Sequence, residues 1–169
     1  MNHDSRELRA SHEAGHATVA TVLGLPWSHA CINDYVCDGH CDGKCDEHPV
    51  GMFHLDLPPI EDFKTHSEFL IFMDKGYTML AAGIAGACLY HGGKLPARVT
   101  ARIIKEHGLK GDIAQSEGRK DFNKRMHTAY AILQANRELH LRLTRKLLDN
   151  GTVKFDDAAI GRNYDANST

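Results

Sequence analysis

His12, Glu13 and His16 form a His-Glu-x-x-His motif within Ser11-His-Glu-Ala-Gly-His-Ala17. On an α-helix, residues four apart lie one above the other on the same face, so His12 and His16 can hold one metal ion between them. Glu13 follows His12 and stands beside that face, where its carboxylate can take a proton from an activated water. A zinc ion with three protein ligands and one open position brings the pKa of its water to about 7 and polarises a substrate carbonyl. The motif therefore supplies two ligands and a base, and requires a third ligand from elsewhere in the chain.

The motif needs a helix, and the surrounding residues supply one. Leu8 precedes it, and Val19, Val22 and Leu23 follow at helical spacing. Asp4 with Glu7 reads as a capping box, and Gly24 followed by Pro26 ends the segment, predicting a helix from about Ser5 to Leu23. Trp27–Tyr35 and Val50–Leu57 read as two strands of a hairpin, the second closed by Pro58-Pro59. Thr65-His-Ser-Glu68 is a second capping box. It opens one long helix that runs through Phe69, Phe72, Met73, Leu80 and Ile84 to Tyr90 and stops at His91-Gly92-Gly93. The small residues Ala81, Ala82, Gly83, Ala85, Gly86 and Ala87 offer a surface that another helix can approach closely, with Gly15 facing it. From Asp121, the apolar residues Phe122, Met126, Tyr130, Leu133, Leu143 and Leu147 predict an amphipathic helix ended by Asn150-Gly151, with a further turn or two in Asp156–Gly161.

Between the two strands lies a tetrapeptide repeat, Cys37-Asp-Gly-His, Cys41-Asp-Gly-Lys, Cys45-Asp-Glu-His, rich in turn-forming Asp-Gly. Cys31, Cys37, Cys41 and Cys45 form a candidate second, structural zinc set, with His40 and His48 as further soft donors. A C-x3-C-x3-C spacing differs from that of the usual finger, and an inert polar loop is the competing reading. Five cysteines, an odd number, argue against a disulfide framework.

A length of 169 residues suits one domain with a real core. A net charge of −2 gives no bulk field to attract nucleic acid or a membrane surface. The charge is uneven: residues 31–62 carry eight acids against Lys44 alone, while 94–146 carry thirteen Lys or Arg against five acids. The basic half reads as a solvated helical face. The opening MNHDSRELRA is charged and is not a signal peptide. The longest apolar run, Thr78–Tyr90, is too short to span a bilayer. The expected location is cytoplasmic.

His12-Glu-Ala-Gly-His-Ala-Thr-Val-Ala-Thr-Val-Leu-Gly24 resembles the zinc helix of the peptidase domain of FtsH-type AAA+ proteases. The resemblance continues through Val50–Pro58, whose strand runs past Gly51 and Phe53 to Leu57-Pro58, and through Gly108-Leu-Lys-Gly111-Asp112. It ends in Tyr130–Leu139 and Leu147–Val153, which resemble the family's final helix. In all it covers residues 5–26, 50–58, 66–92, 108–116 and 128–155. It implies a mainly α-helical α+β fold: a helical bundle with a small β-hairpin or sheet beside the zinc helix. The domain would occupy 1–169, with a Cys-rich insertion at about 31–48 and a disordered tail at about 163–169.

The resemblance makes Asp112 the third zinc ligand. The residues themselves agree in part, since an aspartate at a helix start can cap it and can also bind a metal. Glu106, His107, His91 and Asp121 are the other donors within reach of that reading. The resemblance also makes Met52, Phe53, His54 and Leu55 the strand along which an extended substrate would pair. Where the family carries an arginine and two acids, this chain has Ile84, Ala87 and Cys88.

These readings converge on a zinc-dependent metalloendopeptidase with unfolded or extended polypeptides as substrates. The ligands are His12, His16 and Asp112, and Glu13 is the base. No Walker-type phosphate loop occurs in the chain, so hydrolysis would be independent of ATP or would rely on an ATPase partner in trans. A homo-oligomer follows from the resemblance. The alternative is a zinc-binding module of weak or no activity that recognises peptides or an AAA+ partner.

Overall fold

The computed structural model describes residues 5–32, 51–100, 112 and 119–159. The Cys-rich repeat, residues 101–111 and the tail expected to fray lie outside them.

Helix α1 (Ser5–Leu23) is the element against which the others pack. Its Ala10, Ala14, Ala17, Val19 and Ala20 are fully buried. The helix ends where the sequence predicts. Gly24 takes φ 69°, Gly24 N–H bonds to the Thr21 carbonyl (3.3 Å), and Leu25 N–H reaches back to the Ala20 carbonyl (2.9 Å). These two bonds are the Schellman arrangement, which needs a residue without a Cβ at the left-handed position.

The chain then enters β1 (Trp27–Ile32), β2 (Gly51–Leu55) and, near its far end, β3 (Thr152–Lys154). The sheet order is β2-β1-β3, with both pairings antiparallel. One face lies on α1. Ala30 and Val153 are buried there, and Trp27 donates its indole N–H to Thr21 Oγ1 (3.0 Å). The hairpin of the first two strands is as expected. The third strand is new: Gly151, at φ 73°, caps the preceding helix through Leu147, and its carbonyl accepts Ile32 N–H (2.8 Å). That bond turns the chain directly onto the open edge of β1.

Two expected long helices are each broken. Residues 66–90 form α2 (His66–Leu80) and α3 (Ala82–Tyr90), bent at Ala81. Half of the capping box at the start of α2 forms as expected, Thr65 Oγ1 accepting Glu68 N–H (3.1 Å), while Glu68 Oε2 accepts the N–H of Lys64, one residue before the cap, instead of that of Thr65 (2.8 Å). The second long helix divides into α4 (Arg119–Ala135) and α5 (Arg137–Asn150) at Asn136. The Asn136 amide donates to the Ile132 carbonyl (2.9 Å), offering the backbone a local alternative to helix continuation. A short helix, α6 (Phe155–Ala159), closes the described chain.

The fold is mainly helical with one small antiparallel sheet, an α+β arrangement. Its core joins α1 to Ile84 of α3, to Phe122, Met126 and Leu133 of α4, and to Leu143 and Leu147 of α5. Arg125 ties α4 to α2. Its guanidinium meets the Asp121 carboxylate, the Asp74 carboxylate (2.8 Å), the Asp74 carbonyl (2.8 Å) and Thr78 Oγ1 (3.2 Å). No helix among the described residues is long and apolar enough to cross a membrane.

Candidate metal centre

His12 and His16 project from one face of α1, as their spacing requires. Their Nε2 atoms stand 3.0 Å apart, with ring planes at 73°. Asp112 closes the group. Its Oδ2 lies 3.4 Å from His12 Nε2 and 3.9 Å from His16 Nε2. Among the described residues, this is the set of histidine, cysteine and acidic donors close enough to share one ion. Asp121 is instead engaged by Arg125, and His91 caps α3. Glu106 and His107 lie outside the described residues.

A cation suits this group on two counts. Asp112 Oδ2 is shut off from solvent and approaches His12 Nε2 only to 3.4 Å and His16 Nε2 to 3.9 Å, an arrangement that costs free energy unless a positive charge is supplied. The second count is the tautomer of His16. His16 donates Nδ1–H to the Met79 carbonyl (2.8 Å), so the neutral ring presents its Nε2 lone pair to the cluster. Either His12 then donates a proton across the 3.0 Å gap, or a cation lies between the rings. The two-histidine, one-carboxylate donor set is one that zinc takes in catalytic sites.

Charge in the site follows from burial. His16 is pushed down to about 4: burial is the largest cause and the neighbouring His12 adds to it, against the pull of Asp112 and the Met79 carbonyl. His16 is therefore neutral at neutral pH, the form that ligates. For His12, burial lowers the pKa, but its hydrogen bond to Asp112 and the charges of Glu13 and Asp112 outweigh that and raise it. Asp112 is lowered, because the same hydrogen bond and the two imidazoles overcome the effect of burial.

Glu13 is buried, and burial pushes its carboxyl up to about 7, with Asp112 adding to the rise and His12 opposing it. A carboxylate near 7 is matched to exchanging a proton at neutral pH. Its seat is made by Gly51, the first residue of β2. A Cβ there would stand 2.6 Å from Glu13 Cγ and 2.8 Å from its carboxyl carbon. Gly83 of α3 does the same for His12: a Cβ would run into the imidazole ring.

Neither glycine's role was evident from the sequence. Gly83 read only as part of a helix-packing surface, and Gly51 only as a position within the second strand. An isolated glycine within a strand does signal close approach of another group. The Met79 carbonyl leaves no trace in a side-chain pattern.

The expected substrate strand is β2, at the edge of the sheet as described. Met52, Phe53, His54 and Leu55 are all half-buried. The Phe53 ring lies 5.8 Å from the His16 ring and 5.5 Å from that of Trp27. Of the candidate second-metal set, Cys31 is buried on β1, and Cys37, Cys41 and Cys45 lie outside the described residues. Ile84 and Ala87 are buried and Cys88 is half-buried. Burial raises the Cys88 thiol.

No protein-family model matches the chain, and no curated protein matches it either.

Proposed function

We propose that this protein is a zinc-dependent metalloendopeptidase that hydrolyses unfolded or extended polypeptides. The observation that carries the reading is the convergence of His12, His16 and Asp112 on one point, beside a buried Glu13 whose carboxyl is poised near neutrality. His12, His16 and Asp112 would hold the ion through Nε2, Nε2 and Oδ2. Bound zinc supplies Lewis acidity, making water a nucleophile at neutral pH and polarising a carbonyl.

The chain's own groups do the rest. His16 is fixed in register by the Met79 carbonyl. Glu13, seated over Gly51, takes the proton of the attacking water on its carboxylate and delivers it to the departing amine nitrogen. Gly51 also starts β2, so the base and the strand expected to pair with substrate backbone are adjacent. The resemblance to FtsH-type peptidase domains agrees with this assignment at His12, Glu13, His16 and Asp112. It adds two proposals, an ATPase partner acting in trans and a homo-oligomer. An odd number of cysteines fits a reducing, cytoplasmic setting.

Glu13→Gln tests the reading. It keeps the shape of the side chain and removes the base, so cleavage of an unfolded polypeptide falls by at least about 100-fold while zinc stays bound at wild-type stoichiometry. Cleavage at the wild-type rate would refute the mechanism.

One observation favours a second reading, a zinc-binding recognition module of weak or no turnover. Ile84, Ala87 and Cys88 stand where the resembling family has an arginine and two acids. Stoichiometric zinc with no cleavage across a broad panel of unfolded peptides would select it.

A further inference from the structure

The His16 ring is held by a carbonyl that an unbroken helix would have engaged. The last helical bond of α2 runs from Ala81 N–H to the Tyr77 carbonyl (3.3 Å). Met79 is among the terminal residues whose carbonyls a helix leaves without an internal partner, and its oxygen accepts His16 Nδ1–H (2.8 Å). The break at Ala81 therefore serves the candidate centre twice. It releases the Met79 carbonyl for His16, and it starts α3 so that Gly83 lies against the His12 ring. A carbonyl can orient a ring only if the turn that carries it is itself held.

We propose that Arg125 of α4 is a positioning residue for this centre, gripping the last turns of α2 and so fixing the Met79 carbonyl that orients His16. The role bears on catalysis only if the metal centre proposed above is right, whereas the orientation of His16 can be read without an ion.

The grip comes from several directions. Nη1 donates to the Asp74 carbonyl (2.8 Å) and to Thr78 Oγ1 (3.2 Å). Thr78 Oγ1 in turn donates to the Asp74 carbonyl (3.0 Å), closing a ring of bonds between the guanidinium and two successive turns of α2. Nη2 meets the Asp74 carboxylate (2.8 Å), and the guanidinium carbon lies 5.4 Å from the centre of the Tyr77 ring. Nε meets Asp121, one turn back on α4, which anchors the side chain to its own helix. Asp74, Tyr77 and Thr78 lead directly into Met79. One residue of α2 thus meets Arg125 of α4, and the next meets His16 of α1.

The magnitudes decide which of these bonds matter. The Asp74 carboxylate is 67% exposed, and an ion pair so open to water contributes little. The Arg125 side chain is only 15% exposed and Thr78 is buried, so the bonds to the carbonyl and the hydroxyl carry the effect. A guanidinium can serve all these partners at once because its five N–H groups form a rigid planar fork, whereas an ammonium is a point charge on a flexible stem.

The test reads the His16 ring in the metal-free full chain, labelled with ¹⁵N-histidine at pH 7.5, where burial keeps that ring neutral. The wild type shows the proton on Nδ1. In Arg125→Lys and in Thr78→Val the proton shifts toward Nε2, and zinc affinity measured by chelator competition falls about tenfold. Asp74→Asn, which keeps the carbonyl, matches the wild type in both readings. Lys146→Met, which removes the ion pair to Asp157 between α5 and α6, also leaves the His16 ring unchanged. Arg125→Lys and Thr78→Val proteins that lose urea resistance while His16 keeps its Nδ1 proton would overturn the role, because Arg125 would then only brace the fold. Thr78→Val, a change of one buried hydroxyl, decides the matter even if Arg125→Lys fails to fold. A wild type that holds this tautomer yet takes up no zinc would sink the metal reading alone, and the same spectra would still judge the hold of Arg125 on His16.

Discussion

The Met79 carbonyl accepts His16 Nδ1–H at 2.8 Å, tying α1 to the last turn of α2. That bond selects the tautomer in which Nε2 faces Asp112, and it does so from an element 63 residues away in the chain. Its consequence is measurable as metal stoichiometry. On the proposed reading, the wild type is expected to bind one zinc at this centre. His16→Ala and His12→Ala each abolish that equivalent, and Asp112→Asn, which removes the negative charge but keeps the shape, weakens it by more than about tenfold. A zinc content unchanged by His12→Ala would mean that the ion sits elsewhere.

Gly51 and Gly83 separate the proposed base, Glu13, from the proposed ligand, His12. A methyl at position 51 meets the Glu13 side chain, while one at position 83 meets the His12 ring. Gly51→Ala therefore displaces the base and lowers turnover with zinc retained. Gly83→Ala displaces a ligand and lowers zinc affinity first. Equilibrium dialysis of both variants, alongside peptide cleavage, gives opposite patterns if each glycine serves the side chain assigned to it. The same pattern in both would show a common packing defect.

How much of this was legible in the sequence follows from which forces act locally. The first helix and its stop, the hairpin, the second capping box and the His12–His16 face are written in spacings and caps that act within a few residues. The breaks at Ala81 and Asn136 were missed because neither residue is a strong helix breaker. At Asn136 the apolar ladder does carry a sign: it steps from Leu133 to Leu143 with no member between that is fully buried. Strand β3 was missed because Thr152–Lys154 is too short to show a period, and its pairing depends on Gly151 meeting Ile32. Asp112 could be nominated from the resemblance and from its position after a glycine turn. Only the folded chain brings its Oδ2 to the two imidazoles, and nothing in the sequence pointed to the grip of Arg125 on α2.

The crossing of α1 and α3 is set by Gly15 and Gly86. A Cβ on Gly86 would stand 2.6 Å from the Ser11 carbonyl oxygen and 2.9 Å from Gly15 Cα, both backbone atoms that cannot swing away. Gly86→Ala must push the helices apart and costs about 1–3 kcal/mol. Gly76, in the middle of α2, has nothing within 4 Å of its would-be Cβ, so Gly76→Ala stabilises by about 0.5–1 kcal/mol through helix propensity alone. Urea unfolding of the two variants should therefore move in opposite directions. A neutral Gly86→Ala would show that the helices do not cross in this contact.

His140 makes stability depend on pH. It is fully buried on α5, donates Nε2–H to the Ser11 carbonyl (3.0 Å), and leaves Nδ1 without a partner. Burial lowers its pKa, and Arg137 adds to this against the opposing pull of the Ser11 carbonyl. The folded pKa thus lies below the unfolded value of about 6.5. Below that value the unfolded chain binds the proton more readily, so stability falls as pH drops through about 6.5 and continues to fall until the folded pKa is reached. His16, also held low, contributes with the same sign. Comparison with His140→Gln isolates His140, because glutamine keeps a donor for Ser11 and cannot titrate. Between pH 7.5 and 5.5 the wild type should lose more of its urea midpoint than His140→Gln does. Equal losses in the two proteins would mean that His140 is protonated as readily in the fold as in the unfolded chain, and that the burial assigned to it is wrong.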